Sequence, residues 1–96
     1  MKDADDQLLR LEQVYRERFS QFVRLAHAIT GDGELARDAV QDAFVRAVHA
    51  RRTLRDSTAA DAWVAQIVVN CARDAVRGRA VESDEAIVLF SLSWAA

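Results

Sequence analysis

Residues 63–79, "WVAQIVVNCARDAVRGR", read as a helix with two different faces. Trp63, Ile67, Cys71 and Ala75 recur every fourth residue and form a small or apolar side that a core would take. Gln66, Asn70, Arg73, Asp74 and Arg77 make a second strip of amide, guanidinium and carboxylate groups. That strip is open to two readings, an ordinary solvated face or a face that reads a polar partner. What packs on the apolar side decides the fold, and what meets the polar strip decides the function.

Working outward toward the N-terminus, "TLRDSTAAD" (53–61) is polar and turn-like, with Asp56, Ser57 and Thr58 each able to cap the helix that follows. This third helix is expected from about Thr58 to Val76 or beyond, ending near Gly78. A second helix is expected from about Gly33 to Arg52, burying Leu35, Ala36, Ala39, Val40, Ala43, Phe44, Ala47 and Val48. Arg51 and Arg52 then fall in its last turn, where cations suit the helix dipole. "TGDG" (30–33) separates it from the first helix, with Gly31 suited to a left-handed cap and Asp32 to an N-cap. From about Asp6 to Ile29, apolar side chains at 8, 11, 15, 19, 22, 26 and 29 step by three or four, as in one long amphipathic helix. At about 1.5 Å per residue that helix spans roughly 36 Å.

Beyond the third helix, "AVESDEAIVLFSLSWAA" (80–96) breaks the pattern with an acidic cluster and then an apolar run. It is expected to be a linker plus a short element that docks on the core or on a partner. The expected architecture is therefore all-α: a three-helix bundle over 1–79 and an acidic, apolar tail over 80–96.

Composition agrees. The chain of 96 residues is long enough for one core and too short for two, and 51% hydrophobic with 29% charged residues is ordinary for a globular protein. Three glycines and no proline leave few breaks between helices. One cysteine excludes an internal disulfide and a cysteine-based zinc site, which suits a reducing compartment. "MKDADDQ" lacks the apolar core of a signal peptide and no stretch approaches a membrane span, so a cytoplasmic location without membrane insertion is expected. The net charge of −2 hides a gradient. Residues 1–50 carry seven basic and nine acidic side chains, 51–79 carry six arginines against three aspartates, and 80–96 carry three acids and no base. Positive charge is thus concentrated around the quoted helix, where a phosphate backbone would be welcome.

Catalysis has little to stand on. His27 and His49 lie on separate helices without companions. Asp38 and Asp42 share an i, i+4 spacing that could hold a metal, but no further ligand joins them and Arg37 and Arg46 lie nearby. Cys71 falls on the apolar side of its helix, where a small hydrophobe is the default. "GDG" is a turn, not a phosphate loop. No enzyme, cofactor or metal is read here. The polar sides of the second and third helices are better candidates: Arg37, Asp38, Gln41, Asp42, Val45 and Arg46 on one, and on the other Asn70, able to hydrogen-bond a base edge, flanked by arginines able to hold phosphate.

"GDGELARDAVQDAFVRAVHA" followed by "AWVAQIVVNCARDAVR" closely resembles region two of bacterial sigma factors, specifically the extracytoplasmic-function group. The first motif stands here as Ala36, Asp38, Ala39, Val40, Gln41, Asp42 and Phe44. The second stands as Trp63, Val64, Ile67, Val68, Asn70, Asp74 and Arg77. The resemblance covers roughly residues 8–80.

The resemblance implies a transcription initiation factor domain. It assigns Asp38, Gln41 and Asp42, with Arg37 and Val45 as neighbours, to the clamp helices of the largest subunit of core RNA polymerase. It assigns the loop Arg51–Asp61, with Arg51, Arg52 and Arg55, and the face Asn70, Arg73, Asp74 and Arg77 to promoter DNA. There the non-template strand of the −10 element is unstacked and a base captured, which costs a few kcal/mol. Trp63 matches a tryptophan taken as structural, bracing the loop. An anti-sigma factor is a further partner of the kind the group implies.

The chain departs from the family pattern in three places. Ala60 and Asp61 stand where the family often has an aromatic and a base, and Val69 where arginine is common before the asparagine. These changes weaken stacking or phosphate contact near the pocket. A −35-binding domain is not encoded, so the chain is expected to be an excised first domain or a stand-alone version. The acidic residues Glu82, Asp84 and Glu85 could fold over Arg73 and Arg77 and compete with DNA; a plain linker is the preferred reading. The alternative function is a protein-interaction domain, binding polymerase or an anti-sigma factor without opening promoters. A helical DNA-binding regulator unrelated to polymerase is a third.

Overall fold

The computed structural model describes residues 2–79, with side chains from 6 to 78. The tail over 80–96, including the proposed acidic cover on Arg73 and Arg77, lies outside the described residues. Three α-helices run in order: α1 (Lys2–Thr30), α2 (Gly33–His49) and α3 (Ala60–Arg79), with single 3-10 turns at Arg51–Thr53 and Ser57–Ala59 between α2 and α3. No strand occurs among the described residues, so the fold is the all-α three-helix bundle that the periodicity implied.

The α1–α2 turn forms as its residue types dictate. Gly31 takes φ +68°, a conformation that a side chain would strain, and its N–H closes on His27 O at 2.8 Å. Asp32 Oδ1 then accepts from Glu34 N at 2.9 Å and Leu35 N at 3.0 Å, satisfying two of the donors orphaned at the start of α2. The Thr30 hydroxyl, buried, donates to Asp32 O at 3.0 Å and fixes the turn from inside.

The core joins all three helices. α2 contributes Ala36, Ala39, Val40, Ala43, Phe44 and Ala47, an alanine-rich face that lets both neighbours approach its backbone closely. α1 contributes Leu11, Val14, Phe22 and Ala26, and α3 contributes Ala60, Val64, Val68, Cys71 and Ala72. Phe44 packs between Tyr15, edge-on at 4.8 Å, and Phe22 at 5.9 Å, geometry that aromatic quadrupoles favour.

Several sequence expectations are corrected. α3 buries Val64, Val68 and Ala72, whereas Trp63, Ile67 and Ala75 are half-buried, so the core side is rotated by about one residue. On α1, Leu8 and Tyr15 are exposed and Val14, absent from the expected stripe, is buried. α2 stops at His49; Arg51 and Arg52 belong to a 3-10 turn, because the chain must bend there to drop Leu54 into the core. Leu35 and Val48 are half-buried rather than buried. α3 begins at Ala60, and Asp56, with Thr58 N donating to its Oδ1 at 3.0 Å, caps the 3-10 turn ahead of it.

Candidate binding faces on the second and third helices

Burying the alanine side of α2 forces its other side outward. Arg37, Asp38, Gln41, Asp42 and Val45 are all exposed and share that side. Val45 is 56% exposed, which is unusual for a β-branched apolar residue in a helix with a core to join. Beside it runs an apolar groove between α1 and α2, lined by Leu8, Leu11, Tyr15, Phe44 and Val48, with Gln41 and Val45 on its edge. Sequence reasoning missed this groove, assigning Leu8 and Tyr15 to the interior. The available signal was an excess: α1 carries more apolar residues than one buried stripe can hold.

The polar strip of α3 is not a free wet face. Asn70, Arg73, Asp74 and Arg77 are half-buried, and Gln66 Nε2 donates to Asn70 Oδ1 at 3.2 Å. Asp74 accepts a hydrogen bond from Arg77 one turn on and lies 3.7 Å from Arg46 Nη1 on α2. Arg46 in turn pairs with Asp42 at 3.1 Å. A chain of alternating charge, Asp42–Arg46–Asp74–Arg77, therefore crosses from the outer side of α2 to the strip of α3. Beneath it lies Cys71, whose thiol burial pushes up to about 11; Arg46 opposes that shift and Asp42 adds to it.

The loop between α2 and α3 divides its arginines. Arg51 is half-buried and turns back, donating from Nη1 to Val48 O at 2.6 Å and closing the end of α2. Arg52 and Arg55 are exposed. Asp56 is held below the usual carboxylate range by the Thr58 hydroxyl, at 2.6 Å, and then by the Thr58 N–H. Three residues of α1 reach this region. Gln7 Nε2 donates to Leu54 O, Arg10 Nε donates to Ser57 O at 3.3 Å, and Asp61 in the first turn of α3 pairs with Arg18 at 3.1 Å and Arg10 at 3.6 Å. Sequence reasoning did not assign Gln7, Arg10 or Arg18 to the site, since on α1 alone they look like a solvated face.

Among the described residues no group of three or more His, Cys, Asp or Glu side chains is placed to hold a metal ion. No described helix is long and apolar enough to cross a membrane.

An acid-and-amide face on one helix thus stands beside a guanidinium-and-amide strip on the next, both on an all-α three-helix bundle. The family model for sigma-70 region 2 matches residues 14–81, and the chain belongs to that family. Sigma region 2 is a transcription factor domain rather than an enzyme, involved in binding core RNA polymerase and recognising the promoter −10 element. No curated protein and no solved structure matches the chain.

Proposed function

We propose that this chain is the region-two domain of an extracytoplasmic-function sigma factor, acting in the cytoplasm on core polymerase and promoter DNA. Residues 1–79 are the binding unit and 80–96 its tail. Arg37, Asp38, Gln41, Asp42 and Val45 dock on the clamp helices of the largest polymerase subunit. The shared exposure of these five residues on one side of α2 is the observation that carries this reading. Paired carboxylates and an amide around an apolar centre suit a basic helical partner with apolar positions between its charges.

The −10 non-template strand is read by α3 and the loop before it. Arg52 and Arg55 reach phosphate from the exposed loop, and Arg51 shapes the loop's entry by closing α2. Asn70 offers its amide to a base edge, Arg73 and Arg77 carry positive charge along the strip, and Asp74 orients Arg77. The capture of core polymerase by the wild-type chain and by an Asp38→Ala/Gln41→Ala variant tests the reading, with single-stranded −10 DNA followed in the same samples. Capture that the double substitution removes, with DNA lost on Asn70→Ala, is the expected result. Failure of the wild type to capture polymerase sinks it.

A second reading rests on Asp74, a carboxylate within the strip of α3 proposed to face DNA. Under it the chain binds polymerase or an anti-sigma factor through α2 but does not open promoters. Polymerase capture with no DNA binding at any salt concentration would select it.

A further inference from the structure

The loop between α2 and α3 closes its own turns through short-range hydrogen bonds, Thr53 N and Leu54 N donating to Ala50 O and Arg51 O, and the Thr58 N–H and hydroxyl to Asp56 Oδ1. Those bonds join residues only two or three apart, and only Leu54 drops into the core. Its further ties to the bundle come from α1. Gln7 holds the carbonyl of Leu54, and Arg10 holds the carbonyl of Ser57. The two anchored carbonyls bracket Arg55 and Asp56, so the exposed guanidinium of Arg55 sits on a segment tied down at both ends. Asp61 extends the arrangement into α3, its two oxygens taken by Arg18 and Arg10.

The charge arithmetic at this corner also has a consequence. An unpaired carboxylate in the first turn of α3 would repel a phosphate backbone approaching the loop. With Arg10 and Arg18 both drawn to it, the three side chains sum to +1, and the repulsion is cancelled. A loop that is ordered beforehand meets its entropy cost during folding rather than on DNA.

We infer that Gln7, Arg10 and Arg18, acting with Asp61, are positioning residues for DNA capture: the polar face of α1 holds the Leu54–Ser57 loop in its binding shape before the promoter arrives. The inference rests on the reading of that loop as a promoter-contacting segment. None of the four needs to touch DNA for the effect.

Gln7 is the discriminating probe because it is neutral, so removing it takes no positive charge away from an approaching phosphate and leaves the salt slope alone. The experiment compares wild type, Gln7→Ala, Arg10→Lys and Arg55→Ala for binding to single-stranded −10 DNA across a salt series, each bound to core polymerase. Amide hydrogen exchange over residues 54–59 and thermal unfolding are followed on the same proteins. Gln7→Ala is expected to weaken DNA binding by roughly three- to tenfold, the scale of one hydrogen bond, with the salt slope unchanged. Exchange over 54–59 should quicken while the unfolding temperature stays put. Arg10→Lys keeps its charge and loses the planar fork, and should behave likewise in milder form. Arg55→Ala should lower both affinity and salt slope.

Unchanged exchange in Gln7→Ala overturns the inference, because the loop would then not depend on α1. Quickened exchange with unchanged affinity overturns it too, since loop order would not matter for binding. If Arg55→Ala leaves binding untouched, or the wild type binds no DNA, the promoter-contacting reading of the loop has failed, and the inference falls with it.

Discussion

Arg46 on α2 and Asp74 on α3 lie 3.7 Å apart, nitrogen to oxygen, and they link the two proposed binding surfaces. Arg46 is also held by Asp42, on the side proposed to face polymerase, and Asp74 also holds Arg77, on the side proposed to face DNA. Neither residue is deeply buried; the Arg46 and Asp74 side chains are 53% and 34% exposed, so screening leaves little for stability. Their consequence is for orientation and local charge.

Replacing Asp74 by Asn should therefore leave thermal stability nearly unchanged, within about 1 kcal/mol. It removes a negative charge from the strip and loosens Arg77. Affinity for single-stranded DNA should rise while preference for the −10 sequence over a scrambled one falls, measured by fluorescence anisotropy at two salt concentrations. Weaker binding to both oligonucleotides would show that Asp74 contacts DNA itself.

Val45 sits beside the apolar groove with nothing in the bundle to gain from it. Val45→Arg should change stability by no more than about 0.5 kcal/mol, as exposed substitutions do. A basic side chain among residues proposed to meet a basic partner should nevertheless abolish capture of core polymerase. Retained capture would place that contact elsewhere.

Cys71 carries a pH signature. Its thiol is raised by burial from about 9 to about 11 in the folded protein, so the unfolded chain ionises first on raising the pH. Stability from this group is complete below about 9 and is lost as pH rises toward about 11. Urea midpoints should fall across that window in wild type, and fall less in Cys71→Ala. At neutral pH a thiol reagent should react only after denaturant is added.

Ala43 is fully buried between the helices. Ala43→Leu has no room, and overpacking should cost about 1–3 kcal/mol, read from denaturant unfolding. Because α2 carries one proposed surface and braces the other, both polymerase and DNA affinity should drop together in that variant. A loss confined to one partner would argue against a shared scaffold.

Much of this fold was legible because a few residues have narrow backbone uses. Gly31 and Asp32 marked the α1–α2 turn, and the alanine spacing of α2 marked its inner side. α3 was harder. Two neighbours press on it, so apolar residues from Trp63 to Ala72 cover a broad arc, and periodicity cannot tell Val64 and Val68, fully buried, from Ile67 beside them. On α1, Tyr15 and Leu8 follow core spacing yet open onto a groove, since spacing records hydrophobicity and not what covers it. The candidate residues on α2 and α3 could be named one by one, but their pairings could not. Arg46 with Asp74, or Arg18 with Asp61, depends on how obliquely the helices cross.

The ladder of Ala36, Ala39, Ala43 and Ala47 bears on how such a chain can evolve. Any replacement there other than glycine adds volume inside the packed core, and so pries apart the two proposed surfaces with one change. The outward residues of α2 and the strip of α3 carry no such constraint, because exposed and half-exposed positions tolerate new side chains at little cost. Stability therefore admits change at the surface, where it would bear on partner preference, and resists it at the alanines that set the spacing between the two proposed surfaces.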